Sequence, residues 1–202
     1  MMTTVGLTGG IGSGKTTIAN LFASQFSIPI YIADTKAKEL IAQKDSLQKE
    51  IKSLLGEQAF VDGKYNTAFV AGIVFSDQAK LEALNQLIHP YVQEDFLQWK
   101  QNQHSPYVIK ESAILFESGS YKDCDYIITV TAPLEERIRR VILRDKIDRK
   151  TIEKRIKNQW NDENKIKLST FVIDNRDFGR NLDKIQTIHC KIMEMIDENA
   201  EN

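Results

Sequence analysis

Short runs of consecutive apolar residues punctuate the chain at Thr4–Thr8, Ile28–Ala33, Tyr107–Ile109, Tyr126–Val130 and Phe171–Ile173. Between them the apolar positions recur at helical spacing. Ile18, Leu21, Phe22 and Phe26 predict a helix over 15–26, and Ala37, Leu40, Ile41, Leu47, Ile51, Leu54 and Leu55 keep 35–55 predominantly helical. Asp62-Gly63 marks a turn, and helical spacing resumes through Phe69, Ile73 and Val74, then through Leu81, Leu84, Leu87 and Ile88. Pro90 is expected to end that helix and start another through Val92, Phe96 and Trp99. Pro133 opens a helix through Ile138, Val141 and Ile142; Ile152, Ile156 and Trp160 share a further one. The last helix carries Leu182, Ile185, Ile188, Ile192 and Ile196, with 197–202 expected to fray.

Strands that read as solid apolar runs, alternating with helices, predict an α/β fold: a five-stranded parallel sheet flanked by helices. The stretch between the second and third runs, 35–105, exceeds one crossover and is expected to fold as a helical substrate-binding insertion. The whole chain, 1–202, then reads as one domain carrying that insertion and a lid.

Composition narrows the class. Lys and Arg number 27 against 28 Asp and Glu, a net charge of −1, so a duplex-binding protein relying on bulk positive charge is not expected. Ten glycines and four prolines in 202 residues leave no room for low-complexity linkers. Cys124 and Cys190 fall in no metal-ligand spacing and read as reduced thiols. No apolar run is long enough to span a membrane, and the first ten residues lack the features of a secretion signal, so a cytoplasmic protein is expected. No dimer seam is visible, which leaves a monomer as the default.

Chemistry enters at Gly9-Gly10-Ile11-Gly12-Ser13-Gly14-Lys15-Thr16, a full match to G-x-x-x-x-G-K-[ST] with a strand before and a helix after. Glycines allow successive backbone N–H groups to turn around phosphate, the helix start adds the positive end of a dipole, Lys15 supplies a cation and the Thr16 hydroxyl suits Mg²⁺. A nucleoside triphosphate bound with Mg²⁺ through Gly12, Ser13, Gly14, Lys15, Thr16 and Thr17 is the expectation. Asp34 ends the second strand, where a carboxylate can orient an attacking hydroxyl; its other reading is an N-cap for a helix starting at Thr35. Glu111 closes the third strand, either as an acid near Mg²⁺ or as a solvated strand end. Residues 137–160 carry Arg137, Arg139, Arg140, Arg144, Arg149 and Arg155 with several lysines, and read as a cationic lid or as a solvated face paired with Glu135, Glu136, Asp145, Asp148 and Glu153.

These residues resemble the dephospho-coenzyme A kinase family over nearly the whole chain. The run Gly6 to Thr17 is similar to its loop. Ile32-Ala33-Asp34 resembles its Asp-Ala-Asp with Ile32 replacing the first Asp, and Leu87-Ile88-His89-Pro90 resembles its His-Pro. Ala113-Ile114-Leu115-Phe116-Glu117 resembles its Pro-Leu-Leu-Phe-Glu, with Ala113 in place of Pro; Arg140, Arg144-Asp145, Arg149, Arg155 and Gln159 resemble its lid. Val172-Ile173-Asp174-Asn175 is similar to its Val-Ile-x-Asn, beside the adenine pocket. The resemblance implies strand order 2-3-1-4-5 and transfer of the ATP γ-phosphoryl to the 3′-hydroxyl of dephospho-coenzyme A. It also implies Asp34 as base with Lys15 and Arg140 on the phosphoryl group, Arg144 and Asn175 on ATP, and Thr8, Asp34, His89 and Glu117 on the acceptor. The alternatives are a kinase of the same fold acting on another nucleoside, nucleotide or small alcohol, and a partner-gated ATP-binding protein. An acceptor panel separates the first; phosphorylated product rather than free phosphate separates the second.

Overall fold

The computed structural model describes residues 2–176 and 181–200. Its strands are β1 (Thr3–Thr8), β2 (Ile30–Ile32), β3 (Phe60–Val61), β4 (Lys64–Tyr65), β5 (Tyr107–Glu111), β6 (Tyr126–Thr131) and β7 (Phe171–Asp174). The α-helices are α1 (Lys15–Phe26), α2 (Ala33–Gln43), α3 (Asp45–Leu55), α4 (Thr67–Val74), α5 (Gln78–Gln101), α6 (Leu134–Asp145), α7 (Arg149–Lys157), α8 (Asp162–Lys167) and α9 (Asn181–Ala200). No described helix is long and apolar enough to cross a membrane.

Packing divides the chain into two units, one running to Ile32 and resuming at Gln103, the other Ala33–Asn102. The first holds a five-stranded sheet of order β2-β5-β1-β6-β7, parallel at every pairing, which is the order the family resemblance implies. Its interior explains the solid apolar runs: Val5, Leu7, Tyr107, Ile109, Ile128 and Val130 are fully buried and pack with Ile18 and Phe22 of α1 and Ile185 and Ile192 of α9. Lys110 stands within this sheet at 1% exposure, and burial pulls its ammonium below the ordinary range. A smaller cluster, Ile138, Val141 and Ile152, joins α6 to α7 and takes in the side chain of Ile11.

In the second unit α2, α3 and α4 pack on α5, and the Asp62-Gly63 turn proves to be the tip of a short antiparallel hairpin, β3–β4. Pro90 does not end a helix here: α5 runs through it. Proline removes the bond to the Gln86 carbonyl and costs about 3 kcal/mol in a helix interior. Buried Leu84 before it and Val92 and Phe96 after it each contribute about 1.5–3 kcal/mol, so continuing the helix wins.

Other boundaries shift for local reasons. Strand β2 is confined to Ile30–Ile32 because Pro29 precedes it and Ala33 already begins α2. The predicted helix over 35–55 breaks at Lys44, whose extended backbone (φ −99°, ψ 103°) starts α3. Helix α7 stops at Lys157, leaving Trp160 in a connection, and the Asn161 side chain caps the unanticipated α8 by accepting from the Asn164 N–H. Of the tail expected to fray, 197–200 stay in α9, and 201–202 lie outside the described residues.

One contact across this core sets a pH dependence. His189 of α9 stacks on Phe26 (4.0 Å between rings, 7°), and its Nδ1 is 2.8 Å from the Tyr107 hydroxyl. Burial holds the imidazole below its ordinary 6.5. The unfolded chain therefore takes up its proton first as pH falls, so this contribution is complete above about pH 6.5 and is lost progressively below it. Urea-unfolding free energies measured from pH 7.5 to 5 should decline with falling pH, and His189→Gln should flatten that decline; an unchanged slope would remove His189 as its source.

Candidate active site

The glycine loop joins β1 to α1, and its geometry follows from two requirements. Gly14 sits at φ +94°, the left-handed region that favours glycine, and a Cβ there would strike the Asn175 side-chain amide. At Gly10 a Cβ would collide with the Arg137 guanidinium. The loop is thus shaped both by its own turn and by what lies against it.

Turning N–H groups toward a ligand turns carbonyls the other way, and those carbonyls need donors. The Ile11 carbonyl accepts from Arg137 Nε (3.0 Å), and the Ile11 N–H donates to Gln159 Oε1 (2.9 Å). The Ser13 carbonyl accepts from Asn175 Nδ2 (2.8 Å) and, at a longer 3.4 Å, from Arg140 Nη1. Arg137 is itself buried and ion-paired to Asp162 (3.1 Å), while Asn175 Oδ1 accepts from Asn181 (2.6 Å).

What is left for a ligand lies at the start of α1. Helices α4, α5, α7 and α8 have their first turns capped by Asn66, Asp77, Asp148 and Asn161. Helix α1 has neither a side-chain cap nor an acidic residue in its first turn. Its leading N–H groups and dipole end, with Lys15 as first residue, make an anion site.

The predicted site residues fall into distinct settings. Thr16 and Thr17 are exposed on the first turn of α1, while the Ser13 and Thr8 hydroxyls are enclosed, with no hydrogen-bond partner among the described residues. Glu111 ends β5 at 3% exposure, opposite Leu7 of β1 and Ile32 of β2, so it is not a solvated strand end. Arg140 donates to Glu136 and to the Asn175 carbonyl (2.9 Å each), at the loop's rim. Arg144 is turned outward onto Asp145 (2.7 Å). Asn175 is committed to the protein at both its backbone and side chain, so it holds the loop.

Glu117 is tied internally as well. Its Oε1 accepts from the Trp160 N–H (2.7 Å) and lies 3.1 Å from the fully buried Lys165 ammonium, an ion pair without hydrogen-bond alignment. Described by itself, the second unit carries Asp34 and His89. Asp34 is exposed in the first turn of α2, which starts at Ala33; it is inside the helix and not the N-cap of one starting at Thr35. His89 is half-buried in mid-α5, so no helix junction exists there for it to bridge.

Of the paired-face reading of 137–160, Arg139–Glu136, Arg140–Glu136, Arg144–Asp145 and Arg149 with Glu135 and Glu153 are all formed; Asp148 instead caps α7. Loop-holding roles for Arg137, Gln159 and Asn181 were not singled out from sequence. Arg137 did leave a signal: it stands four residues before buried Val141, on the apolar face of α6.

A family model described as dephospho-CoA kinase matches residues 3–179. A Bacteroides fragilis protein named dephospho-CoA kinase is 39% identical over 172 residues, covering 85% of this chain and 83% of its own. A Thermus thermophilus crystal structure superposes with TM-score 0.82 at 31% identity, covering 94% of this chain and 97% of that one. The dephospho-CoA kinase from Campylobacter jejuni superposes with TM-score 0.66 at 22% identity over 98% of this chain and 100% of its own, a likeness of fold.

The Asn175 clamp gives a prediction. Asn175→Ala leaves the Ser13 carbonyl and the Asn181 amide without their buried partner, which should cost about 1–3 kcal/mol in urea unfolding and weaken ATP binding. Titration with a fluorescent ATP analogue checks the second half; wild-type affinity would deny the clamp any part in shaping the loop.

Proposed function

The chain belongs to the dephospho-CoA kinase family, and from that membership we propose how its residues carry out the family's reaction. That reaction moves the γ-phosphoryl group of ATP to the 3′-hydroxyl of dephospho-coenzyme A, giving coenzyme A and ADP, the last step of coenzyme A biosynthesis. The assignment of roles is carried by the uncapped start of α1 behind a glycine loop whose Ile11 and Ser13 carbonyls are supplied with side-chain donors.

In this reading the leading N–H groups of α1, which no side chain caps, hold the β- and γ-phosphates of ATP together with Lys15. Asp34, exposed two residues beyond β2, accepts the proton of the ribose hydroxyl and orients its oxygen. Phosphoryl transfer proceeds through a loose transition state, so orientation outweighs basicity. Arg140, whose bonds to Ser13 and Asn175 keep its guanidinium at the loop, stabilises the charge on the transferring group. His89 and Glu117 belong to the acceptor side, Glu117 by shaping the loop after β5 through its tie to Lys165. The reaction takes place in the cytoplasm.

The residues also fit a magnesium ion carried by the nucleotide. No group of three or more His, Cys, Asp or Glu among the described residues could cage a metal, whereas Thr16 offers an exposed hydroxyl. That suits a hard cation held chiefly by phosphate oxygens and water. Mg²⁺ would take Thr16 as its protein ligand and neutralise charge on the phosphates.

The first test measures ADP release from MgATP with and without dephospho-coenzyme A, reading product mass in the same tube. Acceptor-dependent ADP with a product heavier by one phosphoryl group is expected; ADP without that product would overturn the assignment. Lys15→Ala should lose turnover by orders of magnitude with its circular dichroism unchanged. Asp34→Asn should lower kcat far more than ATP affinity; an unchanged kcat would remove Asp34 from the chemistry.

A further inference from the structure

Gln159 lies between α7 and α8, and its side-chain amide touches two loops at once. Its Oε1 accepts from the Ile11 N–H (2.9 Å), and its Nε2 donates to the Ala113 carbonyl (3.1 Å). Ile11 is three residues beyond β1, Ala113 two residues beyond β5, and these strands are neighbours in the sheet. One amide therefore spans the carboxyl-end loops of adjacent strands, the edge where ligands bind in parallel sheets. Both bonds go to backbone atoms, so the bridge fixes the loops themselves.

The bridge is anchored at each end. Next to Gln159, the Trp160 N–H donates to Glu117, and the Trp160 ring stacks on Phe116 (5.7 Å, 9°), both on the loop that follows Ala113. At the other end the Ile11 carbonyl is held by Arg137. The chemistry is specific to an amide, which offers one acceptor and one donor; glutamate keeps only the acceptor and leucine neither.

We propose that Gln159 is a positioning residue for phosphoryl transfer, setting the spacing between the loop that holds the ATP phosphates and the loop that lines the acceptor. The proposal rests on the reading of those two loops given above. Transfer to an oriented hydroxyl depends on alignment, and a misplacement of about 1 Å can cost on the order of 100-fold in rate. Acting through the loops, Gln159 governs kcat and the coupling of ADP release to coenzyme A formation more than the affinity for ATP.

The test follows coenzyme A and ADP together, with the full chain, MgATP and dephospho-coenzyme A. Gln159→Leu should lower kcat for coenzyme A about 10- to 100-fold, keep the KM for ATP within about threefold, and release ADP in excess of coenzyme A. Gln159→Glu, which keeps the bond from Ile11 but sets a carboxylate oxygen against the Ala113 carbonyl, should uncouple in the same sense, and it carries the comparison if Gln159→Leu does not fold. Wild-type coupling in both variants overturns the proposal. So does a fall in kcat and Tm together at an unchanged coenzyme A to ADP ratio, the mark of a merely structural role. If the wild type itself forms no coenzyme A, the underlying assignment fails first, and the two failures are told apart.

Discussion

A loop that turns its N–H groups toward phosphate must turn carbonyls toward the protein, and a buried carbonyl without a donor costs roughly 1–3 kcal/mol. This requirement organises the nucleotide side of the molecule. The Ile11 and Ser13 carbonyls receive donors from Arg137, Arg140 and Asn175, more than a hundred positions along the chain. Each donor then needs its own fixing. Arg137 would be an uncompensated buried charge without Asp162, and Asn175 would be adrift without the backbone bond to Thr131 and the amide of Asn181. Helices α6 and α8 and the end of β7 are thereby made part of the phosphate site, although the motif that announces it ends at Thr16.

Sheet topology makes this supply possible. Strand β1 is central, with β5 on one side and β6 on the other, and the chain reaches β2 before returning to fill β5 between them. The loop after β1 thus opens where strand order reverses, the point at which parallel sheets open a crevice. Its neighbours at that edge are the loop after β5, which carries Ala113 and Glu117, and α6 after β6. Crossing the sheet rather than following the chain brings these segments to the loop.

The fold was legible where burial is uniform. The solid apolar runs located all five strands of the main sheet; burial on both faces explains them for β1, β5 and β6, while the edge strands β2 and β7 are shorter and partly exposed, and the glycine loop was legible because its chemistry is local. Pro90 misled because its helical penalty is smaller than the burial its helix gains on both sides, a balance that no local signal reports. Asp34 shifted into a helix because Ala33, apolar enough to read as strand, is also a strong helix former. The loop-holding residues stayed hidden for a different reason. Gln159 and Asn175 act through backbone atoms distant in sequence, and polar side chains bonded to backbone leave no period; Arg137 keeps the period of the buried face of α6 but gives no sign of the carbonyl it serves. Resemblance supplied Gln159 and Asn175 as positions without supplying what they hold.

The same constraint sorts the arginines of 137–160. Arg139, Arg144 and Arg149 are bound to Glu136, Asp145, Glu135 and Glu153 in exposed pairs, each worth between zero and about 1 kcal/mol. A triphosphate can take such arginines from their partners at small cost. Arg137 cannot be taken: it is buried, its guanidinium lies against Gly10, and the Ile11 carbonyl depends on it. Arg140 stands between, half-buried, bonded to the loop on one side and to Glu136 on the other. Of the cations on α6, it alone combines a fixed place at the loop with a surface partner that a phosphoryl group could displace. A cation held in place before substrate arrives stabilises developing charge without reorganising for it. The catalytic cation is therefore to be sought among residues that the loop itself secures, and the number of arginines in the segment is a poor guide to it.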